Sequence, residues 1–126
     1  MLFRSRAQWP TGVVLPDEVG VTPSVSPKFP NISIPYGSLL PAKVDGLLAC
    51  GRHVACDPNS HGFMREIPQC WLTGQAAGTA AALAADANVQ PRHVDIRRLQ
   101  AALRAQGVPL RQDAVATSEM GHGVAP

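Results

Sequence analysis

From Arg65 to Ala85 the sequence reads REIPQCWLTGQAAGTAAALAA, a helix-forming run that after Trp71 turns almost wholly to glycine, alanine and threonine. Pro68 marks its start, because a proline in the first helical turn lacks only an N–H that would have had no intrahelical partner. Gly74 and Gly78 lie four apart on one face, which Ala81, Ala82 and Ala85 continue. A glycine inside a helix costs about 0.8–1 kcal/mol relative to alanine. Two such costs on one stripe imply a compensating close approach. A merely alanine-rich surface helix explains the alanines but not the aligned glycines.

Composition sharpens that point. A chain of 126 residues is one domain or part of one. Its hydrophobic share is 45%, but much of it is alanine, beside two Trp, one Tyr and three Phe. At about 25 cal/mol per Å² of apolar surface, alanine contributes little, so a core from this chain alone is thin. The composition fits a piece that packs against more protein. Net charge is +2, with eleven basic and nine acidic residues mixed along the chain. No basic run is interleaved with aromatics, which argues against nucleic acid. Trp71 to Ala85 falls short of the roughly 20 apolar residues a membrane span needs, and it contains Gln75. Cysteines 50, 56 and 70 cannot all pair internally and suggest no exported disulfide scaffold. Met1 to Gln8 has arginines but no apolar segment of a signal peptide, so a reducing cytoplasm is the default expectation.

Seven of the twelve prolines lie in the first 41 residues. Proline fixes φ and restrains the residue before it, so residues 1–33 are expected to be a Pro-rich extended arm with little to lie on. Asn31 to Ile34 (NISI) alternates like a short strand. Leu47 to Cys50 (LLAC), between an Asp45-Gly46 turn and Gly51, reads as a buried strand. Arg52 to Glu66 is a polar loop punctuated by Pro58, Asn59 and Gly62. A last helix is expected over Ile96 to Gln106, with Asp95 as N-cap, Val94 stapled onto Leu99, and Gly107 to end it. Ile96, Leu99 and Leu103 form its buried stripe. Residues 111–126 read as a flexible tail.

The order is therefore buried strand, Gly-Arg, polar loop, Arg-Glu-Ile-Pro, then a helix with a bare face. Strand ends facing helix starts are where open α/β sheets bind ligands. A helix start offers free N–H donors and roughly half a positive charge, which suit a phosphate or the anionic edge of a reduced flavin. No GxGxxG and no Walker lysine is present.

IPYGSLLP (Ile34 to Pro41), LLACGRHVACDPNSHGFMREIPQCW (Leu47 to Trp71) and LTGQAAGTAAALAA (Leu72 to Ala85) together resemble the C-terminal portion of FAD-dependent oxidoreductases with a glutathione-reductase-like FAD domain. DIRRLQAALRAQGVPL (Asp95 to Leu110) continues the resemblance, which covers about residues 17 to 110. It implies an α/β fold in which residues 34–110 are the C-terminal segment of a Rossmann-like FAD-binding domain. It places Gly51 and Arg52 by the flavin ribityl and phosphate region, and Arg65, Glu66, Ile67 and Pro68 beside the isoalloxazine ring. The helix start would face the ring's N1/C2=O edge, and the IPYGSLLP stretch would run near the substrate. The cofactor implied is FAD, with hydride transfer to or from a small organic substrate.

The family's fingerprint G-x-G-x-x-G and most of its substrate domain have no counterpart here. The chain is thus expected to be a fragment, or the small subunit of a split enzyme that needs a missing N-terminal FAD-binding part or a separate large subunit. It is not expected to bind FAD tightly or to act alone. Leu2 to Ser5 (LFRS) is what CTC-TTC-CGA-TCT encodes, a common sequencing-adaptor end, so Met1 to about Arg6 are expected to be artefactual.

Several residues keep two readings. His61 would orient substrate or move a proton, or else is a satisfied structural histidine. Arg65 would bind a substrate carboxylate or the flavin, or pair with Glu66 or Asp57. His53, Cys56, His61 and Cys70 lack the paired spacing of known zinc modules, so packing is favoured over a metal site, and no metal is expected. Trp71 is expected in the core, and His93 and His122 at the surface. The alternatives to an oxidoreductase part are an accessory subunit without activity and a small metal-binding module.

Overall fold

A computed structural model describes residues 16–22, 32–54, 66–108 and 110. Strand β1 (Glu18–Thr22) pairs antiparallel with β2 (Ile32–Pro35), Gly20 opposite Ile34 and Val21 opposite Ser33, with an irregular step between Glu18 and Gly20. The strand expected around NISI is present. Its partner was not anticipated, since the prolines at 16 and 23 confine β1 to five residues with a glycine at its centre.

The arm does have something to lie on. Val19 and Ile34 are fully buried, and a Cβ on Gly20 would sit 3.5 Å from the Cβ of Leu72, so the β1 backbone runs against the long helix. That helix, α1, spans Ile67–Ala87, and a shorter one, α2, spans Ile96–Ala105. The described residues form a partial α/β unit of two helices and a two-stranded antiparallel sheet.

The end of each helix follows its sequence. The Asp95 carboxylate accepts from the Arg97 N–H at 2.9 Å, capping α2 as expected. Past its C-terminus Gly107 takes φ +89°, and the N–H groups of Gly107 and Val108 reach back to the carbonyls of Arg104 and Leu103. This is the Schellman arrangement, and Asn88 at φ 52° makes the same one after α1 with Val89 and Ala84. Leu99 and Leu103 are fully buried beside Val94, while Ile96 is only partly covered.

The linking segments are tied down by polar groups. The Gln100 amide donates to the carbonyls of Pro16 at 3.1 Å and Glu18 at 3.0 Å, fixing β1 to α2. A 3-10 turn over Tyr36–Leu39 brings the Tyr36 hydroxyl to the Pro91 carbonyl at 2.6 Å. Arg92 pairs with Asp45 at 2.6 Å and donates to the Val44 carbonyl at 3.2 Å.

Burial pushes the Tyr36 phenol up to about 12. In the unfolded chain it ionises near 10, so the folded state holds the extra proton between those values. Stability from this group is complete below pH 10 and is lost as pH rises toward 12. The chain has one tyrosine, so phenolate absorbance reports Tyr36 alone. Phenolate is expected to appear together with loss of circular dichroism; its appearance near pH 10 in a fully folded chain would contradict the burial.

Two expectations need correction. Leu47 to Cys50 is not a strand: one backbone bond, Ala49 N–H to the Leu39 carbonyl at 2.9 Å, is made, and Leu47 is 41% exposed. No second strand lies alongside it among the described residues, so it has no ladder to join. Trp71 is not core but 73% exposed. The reason lies in which side of α1 faces inward. The stripe of α1 facing the protein's own core is Gln69, Thr73, Ala76, Ala77, Ala80 and Ala84. Ile67, Trp71, Gly74 and Gly78 lie on the other side, and an added Cβ at either glycine meets nothing within 4 Å. The close approach that two glycines call for is not made by this chain's described residues.

Candidate functional site

Two features meet at the N-terminal end of α1. The first is the turn at Gly51, which takes φ +100°, a left-handed conformation that side chains disfavour. Its N–H donates to Thr73 Oγ1 at 3.0 Å, and that hydroxyl donates its own proton to the Cys70 carbonyl at 3.1 Å. Thr73 is 1% exposed, so the clamp is shielded from water. Val54 anchors the far side of the turn in the core, its N–H bonding the Gly51 carbonyl at 3.1 Å. Between these anchors Arg52 and His53 are exposed.

The second feature is the start of α1. Glu66 is extended at φ −72°, ψ 156°, and its side chain does not cap the helix. A helical backbone bond runs from Cys70 N–H to the Glu66 carbonyl at 3.1 Å. Pro68 has no N–H, so Ile67 and Gln69 supply the donors of this turn. Glu66, Ile67 and Pro68 are all exposed. The helix dipole adds partial positive charge there.

Gln69 lies behind this exposed edge. It is 6% exposed, and its Oε1 has no hydrogen-bond partner among the described residues. Thr73, one turn further along, shares its face.

The structure therefore joins Gly51 to the second turn of α1, with Arg52 following it and Glu66 to Pro68 at the helix start. Arg65 and His61 lie outside the described residues, as does Cys56. His53 is exposed and Cys70 half-buried; neither Cys50 nor Cys70 is in a disulfide among the described residues. Among the described residues no group of three His, Cys, Asp or Glu could hold a metal ion. Among them, too, no helix is long and apolar enough to cross a membrane.

A left-handed glycine turn beside an uncapped helix start can hold an oxygen-rich, negatively charged ligand edge. The family model for FAD dependent oxidoreductases matches residues 6–103. The chain belongs to the FAD dependent oxidoreductase family. No curated protein and no solved structure matches it. Membership implies FAD as the cofactor, a flavin oxidoreductase-type role and a small-molecule substrate.

In this FAD dependent oxidoreductase chain, Thr73 and Gln69 were not singled out from the sequence. The signal was available. Projecting the helical period back from Ala76, Ala80 and Ala84 puts both polar residues on the inward stripe. Replacing Thr73 by valine keeps shape but removes the acceptor. The expected cost is about 1 kcal/mol, with faster hydrogen exchange at the Gly51 amide. Unchanged exchange at Gly51 would show that the clamp does not hold the turn.

Proposed function

We propose that residues 34–110 are the C-terminal segment of an FAD-binding domain, between a Pro-rich arm (1–33) and a tail (111–126), in an oxidoreductase that moves hydride between flavin and a small organic molecule. The observation that carries this reading is the joining of the Gly51 turn to α1 beside that helix's uncapped start. The site residues suit the cofactor: a positive-φ glycine, a following exposed arginine, and helix donors with no side-chain cap. FAD, when bound, supplies hydride acceptance or donation.

This chain's residues would do the rest. Gly51 lets the backbone approach the ribityl and phosphate region, and Arg52 offers it positive charge. Glu66, Ile67 and Pro68 set the helix start against the N1/C2=O edge, where the dipole favours negative charge. Arg65 would lie beside the ring. His61 would orient substrate or hold a proton for it. The fingerprint-bearing part, as an N-terminal stretch or a separate subunit, would cover the outward face of Ile67, Trp71, Gly74 and Gly78. Exposure of that face, including Ile67 at 64%, supports such a partner.

Lumiflavin tests the site, since it asks only for the ring and not for the adenosine half. Titrated into the full chain, it is expected to shift the amide resonances of Gly51, Arg52, Ile67 and Gln69 before others. Binding that leaves these four unmoved would refute the proposed site.

A further inference from the structure

We infer that the Gln69 carboxamide reads a lactam edge, –C(=O)–NH–, of a planar heterocycle held at the start of α1. This rests on the flavin reading above and specifies it: the group read would be the ring N3–H with a flanking carbonyl.

The argument begins with an orphan. Gln69 is buried to all but 6%, yet its Oε1 has no partner among the described residues. A buried acceptor without a donor lowers stability, and an apolar side chain of the same shape would avoid the loss. The same stripe is alanine at 76, 77, 80 and 84, so packing there does not call for a polar group.

Position gives the orphan a direction. Helical side chains lean toward the N-terminus, which sets Gln69 over the first turn of α1. That turn holds the uncapped N–H groups of Ile67 and Gln69. Four residues on, Thr73 holds the Gly51 turn to the same face. One acceptor thus stands among several donors at one end of one helix.

The combination discriminates between ligands. A phosphodiester has only acceptors at neutral pH, so it would satisfy the helix donors and leave Oε1 unpaired. A lactam edge carries a donor beside an acceptor and satisfies both sets. A carboxamide carries an acceptor and donors of its own, so it can pair with such an edge in both directions.

The test compares lumiflavin with N3-methyl-lumiflavin, which lacks the donor, on the full chain and on Gln69→Met. Wild type is expected to bind lumiflavin about tenfold more tightly than the methyl derivative, as one hydrogen bond provides. Gln69→Met is expected to bind both alike and, without ligand, to melt at a higher temperature than wild type. Gln69→Leu serves as a second apolar variant if methionine perturbs folding. Equal binding of both flavins by wild type overturns the role of Gln69 and leaves the flavin site standing. Failure of wild type to bind either flavin overturns the flavin site and this inference with it. A lower melting temperature for both variants would show that the amide serves the fold instead, and would overturn the inference.

Discussion

Leu103→Ala is expected to destabilise the isolated chain by about 2–5 kcal/mol. Leu103 and Leu99 are fully buried, and with Ile34 and Leu39 they are the large side chains that join α2 to the sheet and the 3-10 turn. Most other core positions on α1 are alanines, which cannot move in to fill the space a leucine leaves. Small domains have only about 5–15 kcal/mol in total, so such a loss removes a large share of the stability. Urea denaturation followed by circular dichroism measures the loss. Leu47→Ala, at a position 41% exposed, is the comparison and should change stability by less than about 0.5 kcal/mol. Equal effects at the two sites would mean that α2 does not close the core.

Gly74→Ala and Gly78→Ala should act in the opposite direction. A Cβ at either position meets nothing within 4 Å, so each change is expected to stabilise the isolated chain by about 0.8–1 kcal/mol through helix propensity alone. The two lie one turn apart and share no partner among the described residues, so the gains should nearly add. The same double variant, placed beside the fingerprint-bearing part of the enzyme, should assemble less well, because two methyl groups would stand where backbone is proposed to pack. Thermal melts of the isolated chain measure the first effect, and the fraction of FAD retained by the assembled enzyme measures the second. A double variant that is stabilised and also assembles normally would rule out a partner on this face.

These opposed signs show what the sequence could and could not convey. Helix ends were legible because their chemistry is local: Asp95 caps within two residues and Gly107 turns within four. The strand at NISI was legible from alternation. Its partner β1 was not, because pairing is a matter of distant neighbours, and Val19 and Val21 around a glycine carry little local signal. LLAC misled for a related reason. Its apolar run is typical of a strand that has neighbours on both sides, and none lies beside it among the described residues. On α1 the glycines were recognised as unusual, but which stripe faced inward depended on where the leucines of α2 would sit. For the site, the Gly51 turn and helix start could be read in order along the chain. The Thr73 clamp could not, since it spans 22 residues.

The bond from Gln100 to the carbonyls of Pro16 and Glu18 spans 84 and 82 positions of sequence. It sets an order of events during synthesis. The arm is made more than 80 residues before the amide that occupies its carbonyls. Until α1 is made, β1 and β2 can only form a two-stranded ribbon, which is marginal in water. The helical hairpin of α1 and α2, whose contacts are closer in sequence, is free to form as soon as it emerges and then to gather the waiting arm. A nascent chain halted before residue 67 would therefore expose strand edges and the apolar side of β1 to chaperones, and its release would be followed by arm docking as the slow final step.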